Sequence, residues 1–117
     1  MVLKLPNKAR VVQDYQAFDP DPPEFTTGEV VQVGEKDTRW PAFVRCRNRA
    51  GKAGWVPEIF IERDEDTGVV NVDYSAVELT VRIGDALTLE REVGGWFWAI
   101  DRDGRRGWVP AECIETP

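Results

Sequence analysis

Apolar residues in this chain recur at every second position in short runs, and no segment sustains a helical 3.6-residue period. In Val30-Val-Gln-Val33 and Ala86-Leu-Thr-Leu89, the side chains of Val31, Val33, Leu87 and Leu89 alternate with outward positions. That alternation marks strands with one buried face. Runs rich in Val, Ile, Thr and aromatic residues are separated by Gly, Pro, Asp and Asn, the residues of turns. Asn48-Arg-Ala-Gly51-Lys and Asp101-Arg-Asp-Gly104-Arg place glycine where a tight hairpin needs a positive φ. Pro57 and Pro110 are expected to stop the strand after each hairpin, because proline has no N–H to donate to a ladder. The pattern predicts an all-β chain.

The same pattern is written twice. Val11-Val-Gln-Asp-Tyr15 matches Val70-Asn-Val-Asp-Tyr74 at an offset of 59 residues. Gly28-Glu-Val-Val-Gln-Val33 matches Gly84-Asp-Ala-Leu-Thr-Leu89 at 56, and Gly51-Lys-Ala-Gly-Trp-Val-Pro57 matches Gly104-Arg-Arg-Gly-Trp-Val-Pro110 at 53. The order is kept, and the offset falls by three at each of two loops. Two copies of one unit account for this, the second with shorter loops. The expected domains are residues 1–63 and 68–117, joined by a short linker at 64–67. Arg63–Thr67 reaches under about 20 Å when extended. The two units are therefore expected to pack side by side across an intramolecular interface, with Trp40, Trp98, Ile59 and Ile83 as candidates for it.

Charge and chemistry narrow the function. The net charge is −6, and all of it falls in the second half: residues 1–62 carry nine basic and nine acidic side chains, residues 63–117 six and twelve. Such a surface repels phosphate backbones and attracts basic partners. Arg45, Arg47 and Arg49 share a strand face, and Arg102, Arg105 and Arg106 flank a hairpin, so a nucleic-acid or ribosome-associated barrel is the competing reading. The chain has no histidine, and Ser75 is its only serine, so neither a Ser-His nor a Cys-His pair exists. An enzyme is not expected, and neither is a cofactor. Cys46 and Cys113 lack metal-ligand spacing. They are buried thiols or a disulfide, and a reducing compartment favours the thiols. Asp64-Glu-Asp66 and Asp101-x-Asp103-Gly each lack a full calcium-ligand set, so no metal site is expected. Neither a membrane span nor an apolar leader at the N-terminus is seen, and the cytoplasm is the expected location.

In order, each repeat carries an ALYDY-like strand, an acidic loop, a Gly-Asp/Glu step, an aromatic strand, a Gly hairpin and Val-Pro. This resembles the Src-homology-3 (SH3) domain over residues 9–63 and 68–116, and Trp40-Pro-Ala-Phe-Val-Arg-Cys46 resembles its bacterial branch. The resemblance implies two five-stranded small barrels, each with a 3₁₀ turn before its last strand. It assigns Ala9, Val11, Phe25, Val31, Val33, Cys46, Val56 and Ile61 to the first core. Val70, Leu79, Val81, Leu87, Leu89, Ala99, Val109 and Ile114 go to the second.

The resemblance also implies an aromatic groove for an extended, proline-rich peptide, with an acidic loop that fixes a ligand Arg or Lys. In the first repeat the matching residues are Tyr15, Phe43, Trp55, Pro57 and Phe60, with Asp19, Asp21 and Glu24 in the loop. In the second they are Tyr74, Trp96, Trp108 and Pro110, with Glu78 in the loop. Gln13 and Val72 replace one groove tyrosine and Cys113 another. The function expected is binding of a protein or peptide partner. A purely structural subunit with covered grooves is a further alternative.

Overall fold

The computed structural model describes residues 7–115, which hold twelve β-strands, two 3₁₀ turns and no α-helix. Met1–Pro6 of the N-terminal stretch read for a leader lie outside those residues. The strands are β1 (Asn7–Val11), β2 (Glu24–Phe25), β3 (Val30–Lys36), β4 (Phe43–Arg47), β5 (Ala53–Pro57), β6 (Ile61–Asp64), β7 (Thr67–Val70), β8 (Tyr74–Ser75), β9 (Ala86–Val93), β10 (Trp96–Ile100), β11 (Arg106–Pro110) and β12 (Ile114–Glu115). The 3₁₀ turns, Glu58–Phe60 and Ala111–Cys113, each follow a Val-Pro and precede a short strand, as the SH3 pattern requires. Val31 and Val33 on β3, and Leu87 and Leu89 on β9, are buried on the inward face read from their spacing.

The strands assemble into two compact units, but not one per repeat. One unit is split in sequence, formed by Met1–Pro20 with Val77–Pro117; the other, Asp21–Ala76, is continuous. The split unit's sheet has the order β11-β10-β9-β1-β12. The continuous unit's has the order β5-β4-β3-β7-β6, beside a two-stranded β2-β8 ribbon. Laid over each other, β7 holds in the continuous unit the place that β1 holds in the split unit. The registers agree residue for residue: Lys8 faces Thr88 and Ala9 faces Leu87, while Thr67 faces Gln32 and Gly68 faces Val31. The first strand of each repeat thus completes the barrel of the other.

This exchange corrects several sequence readings. Residues 1–63 and 68–117 delimit the repeats, but they are not the units that fold. Ala9 and Val11, expected in the first core, pack with Leu79, Val81, Leu87 and Leu89. Val70, expected in the second, pairs with Ile61 and lies in the continuous unit. The stretch 64–67 is no linker: Asp64 pairs with Thr67 across a turn made by Glu65 and Asp66. With only two residues between them, β7 folds straight back on β6 and occupies the slot that β1 would otherwise take. Asp66 O accepts the Val33 N–H at 2.8 Å and Arg63 Nε donates to Glu65 O at 2.6 Å, which pins that turn. Of the interface candidates, Trp40 and Trp98 are half-buried, whereas Ile59 and Ile83 are 72% and 67% exposed.

The repeated Gly-x-x-Gly-Trp-Val-Pro block has a packing reason. A Cβ on Gly54 would lie 2.6 Å from Pro23 Cγ, and one on Gly107 would lie 2.8 Å from the Glu78 and Leu79 backbone. The second glycine of each block therefore admits an arm of the acidic loop against the sheet. The first glycine, Gly51 or Gly104, has φ 86° or 84°, the left-handed turn read from sequence.

The two hairpin tips are braced alike. Asn48 Oδ1 accepts the Lys52 N–H at 2.9 Å, and Asp101 Oδ1 accepts the Asp103 and Arg105 N–H groups, both at 2.9 Å. Asp101 Oδ2 also accepts Arg105 Nε at 2.8 Å. This set of bonds leaves Asp101 braced to its own turn rather than open to a cation. Burial pushes the Asp101 carboxyl up, but these hydrogen bonds and the Arg105 charge outweigh it and hold the carboxyl below its ordinary value. A depressed folded value means stability present above the unfolded pKa of about 3.9 and lost as pH falls through the folded one. Asp101→Asn is expected to be less stable by roughly 1 kcal/mol at pH 7, with the gap closing in acid. Denaturation of both proteins between pH 7 and 2 checks this, and parallel curves would contradict it.

Candidate functional site

In the split unit, Tyr15 crosses the acidic loop to Val81, exchanging backbone hydrogen bonds of 2.9 and 2.8 Å. This holds its ring edge-on to Trp96, with centroids 5.7 Å apart and planes at 84°. The Tyr15 hydroxyl donates to Glu78 Oε1 at 2.6 Å, and the same oxygen accepts the Phe18 N–H at 3.2 Å. Tyr15, Glu78 and Trp96 are all half-buried, so two rings and a carboxylate share one partly open surface. Pro110 pairs with Trp96 and Trp108 bridges to Glu78, both buried, and Asp19 is exposed on the same arm as Tyr15.

The continuous unit holds the matching residues differently. Tyr74 is only 7% exposed; its ring packs on Phe25 and Phe60 at 6.1 and 5.7 Å, and its hydroxyl donates to Trp55 O at 3.1 Å. Phe43, Pro57 and Phe60 are buried as well. Trp55 stays half-exposed, with the Arg45 guanidinium 5.5 Å from its ring centroid. Glu24 and Asp21 are exposed, and Asp21 pairs with Lys52.

The structure therefore regroups the residues read as sites. Asp21, Glu24, Phe43, Trp55, Pro57 and Phe60 share a unit with Tyr74 and not Tyr15. Tyr15 and Asp19 join Glu78, Trp96, Trp108 and Pro110. The tyrosines change places because each sits on an exchanged arm. Two residues beside them went unnoticed in the sequence. Asp14 accepts the Ile83 N–H at 2.8 Å, and Asp73 accepts the Thr27 N–H and hydroxyl, both at 2.9 Å. Those two bonds from Thr27 hold the Asp73 carboxyl below its ordinary value. Each aspartate precedes its tyrosine and is held by the other repeat's turn, so the shared Asp-Tyr step was the available signal.

Neither cysteine is in a disulfide; both are buried, and burial pushes the Cys46 thiol up to about 11 against the opposing Arg63 charge. It stays a protonated, packed thiol at neutral pH. Phe18, on the Tyr15 arm, is 91% exposed. Among the described residues no helix is long and apolar enough to cross a membrane.

Two small barrels with 3₁₀ turns, acidic loops and aromatic faces define a chain of the SH3-like class. The variant SH3 domain model matches residues 8–64 and 67–116, and the chain belongs to that family. SH3 domains are non-enzymatic protein-interaction modules. The chain is also similar to mouse SH3 and PX domain-containing protein 2B, at 27% identity over 122 residues. That match covers 90% of this chain and 13% of the mouse protein's length.

Proposed function

We propose that the chain binds an extended segment of a partner protein, and that it does so at the Tyr15–Trp96–Glu78 surface of the split unit. The observation that carries this reading is the contrast between the two tyrosines. Tyr15 is half-exposed against a half-exposed tryptophan and beside a carboxylate, whereas Tyr74 is buried with its hydroxyl committed to the backbone. Flat, pre-ordered rings grip a polyproline-type ligand at low entropic cost, and a carboxylate at one end selects a ligand cation. The burial of Phe43, Phe60 and Tyr74 favours a packing role for the corresponding face of the continuous unit.

Titration with proline- and arginine-containing peptides, followed by backbone NMR, tests this. Shifts centred on Tyr15, Glu78 and Trp96 are expected, and no shift with any extended peptide would sink the reading. Glu78→Gln is expected to weaken an arginine-bearing peptide roughly fivefold while leaving its arginine-free analogue unchanged.

A further inference from the structure

We infer that the exchange of first strands is enforced by a steric key at Gly68 and by the slack-free turn before it, so that neither repeat completes a barrel from its own residues alone. The groove consequence, that Tyr15 of one repeat serves Trp96 and Glu78 of the other, rests on the reading above; the exchange itself does not.

The key is a single methyl group. Gly68 and Ala9 are equivalent positions, facing Val31 and Leu87 in matching registers. A Cβ on Gly68 would run into Ile61 Cγ2 and lie 3.1 Å from Val33 Cγ2 and 3.3 Å from Glu62 O. Ile61 is buried and β-branched, so its side chain has little freedom to move aside. If β1 returned to its own repeat's barrel, Ala9 would bring that methyl to this spot. In the split unit, by contrast, Ala9 lies opposite Leu87 and its methyl is part of the packing against that unit's core. Each arm is thus shaped for the other repeat's barrel.

Connectivity points the same way. The two-residue turn at Glu65 and Asp66 delivers β7 beside β6. At the first crossing between the units the chain reads Phe18-Asp-Pro-Asp-Pro-Pro23. Asp19, Asp21 and Pro22 each precede a proline and are held extended, which opposes a fold-back of the Tyr15 arm onto its own repeat. The aspartates complete the lock, since Asp14 caps Ile83 while Asp73 caps Thr27.

Chemical denaturation of the 117-residue chain separates this from an accidental pairing. Gly68 has no positive φ, so by strand preference alone Gly68→Ala would be neutral or stabilising. Under the exchange it is expected to lower the folding constant roughly tenfold or more, whereas Ala9→Gly costs only a few-fold. A Gly68→Ala protein as stable as wild type, or more so, overturns the inference. Cross-strand NOEs in the wild-type chain give a second reading that needs no variant to fold. Contacts from Lys8 to Thr88 and from Thr67 to Gln32 are expected; contacts from Lys8 to Gln32 overturn it.

Discussion

A chain ending at Asp64 is expected to lose its cooperative unfolding transition, even though it contains a whole repeat. The cut removes β7 and β8, and with them Val70, which is 1% exposed, Tyr74, and the Asp73 cap on Thr27. The first repeat's own arm can offer Val11, Tyr15 and Asp14 as substitutes, but only by placing Ala9 against Ile61. Overpacking of that kind costs about 1–3 kcal/mol. A barrel of this size has only a few kcal/mol to lose. Circular dichroism melting and proton chemical-shift dispersion of residues 1–64 check the outcome. A sharp transition like that of the intact chain would show that the repeat is self-sufficient and that the exchange is dispensable.

Tyr74→Ala is expected to destabilise the barrel of the first repeat, although Tyr74 belongs to the second. Its ring fills the space between Phe25 and Phe60, and its hydroxyl caps Trp55 O. Truncating a buried aromatic costs about 3–5 kcal/mol. The loss should be local to the continuous unit, and the five tryptophans report where it falls. Indole resonances of Trp40 and Trp55 are expected to shift and broaden, whereas those of Trp96, Trp98 and Trp108 hold. The reverse pattern would mean that Tyr74 serves its own repeat.

Most of the architecture was legible in residue spacing. The alternation at Val31 and Val33 and the glycines at Gly51 and Gly104 located strands and hairpins, while the SH3 resemblance supplied the 3₁₀ turns and the match of Cys46 to the core position that Ala99 occupies in the other copy. What spacing left open was the destination of the arms. Val11-Val-Gln-Asp-Tyr15 and Val70-Asn-Val-Asp-Tyr74 carry one pattern, so hydrophobic periodicity fits either arm to either barrel. The distinguishing information lies in features that periodicity ignores: one absent methyl at Gly68, and a charged stretch at 64–67 whose shortness makes it a turn. The candidate site was harder to read for the same reason. The sequence offers aromatic and acidic candidates, but which tyrosine meets which tryptophan depends on the exchange. Burial then separates Tyr15 from Tyr74, and that is a property of packing rather than of residue type.

One strand pairing also governs how this chain would bear tension. β1 and β12 are antiparallel neighbours, with Arg10 opposite Glu115 and Val11 opposite Ile114. Handles attached near residues 7 and 115 would therefore leave the sheet at the same end, and a pull between them would unzip the pair one hydrogen bond at a time rather than shear it. Because residues 21–76 are inserted in sequence between the two segments of the split unit, they feel no load until the split unit has opened. The proposed groove, which depends on the β1 arm, would be the first part to give way.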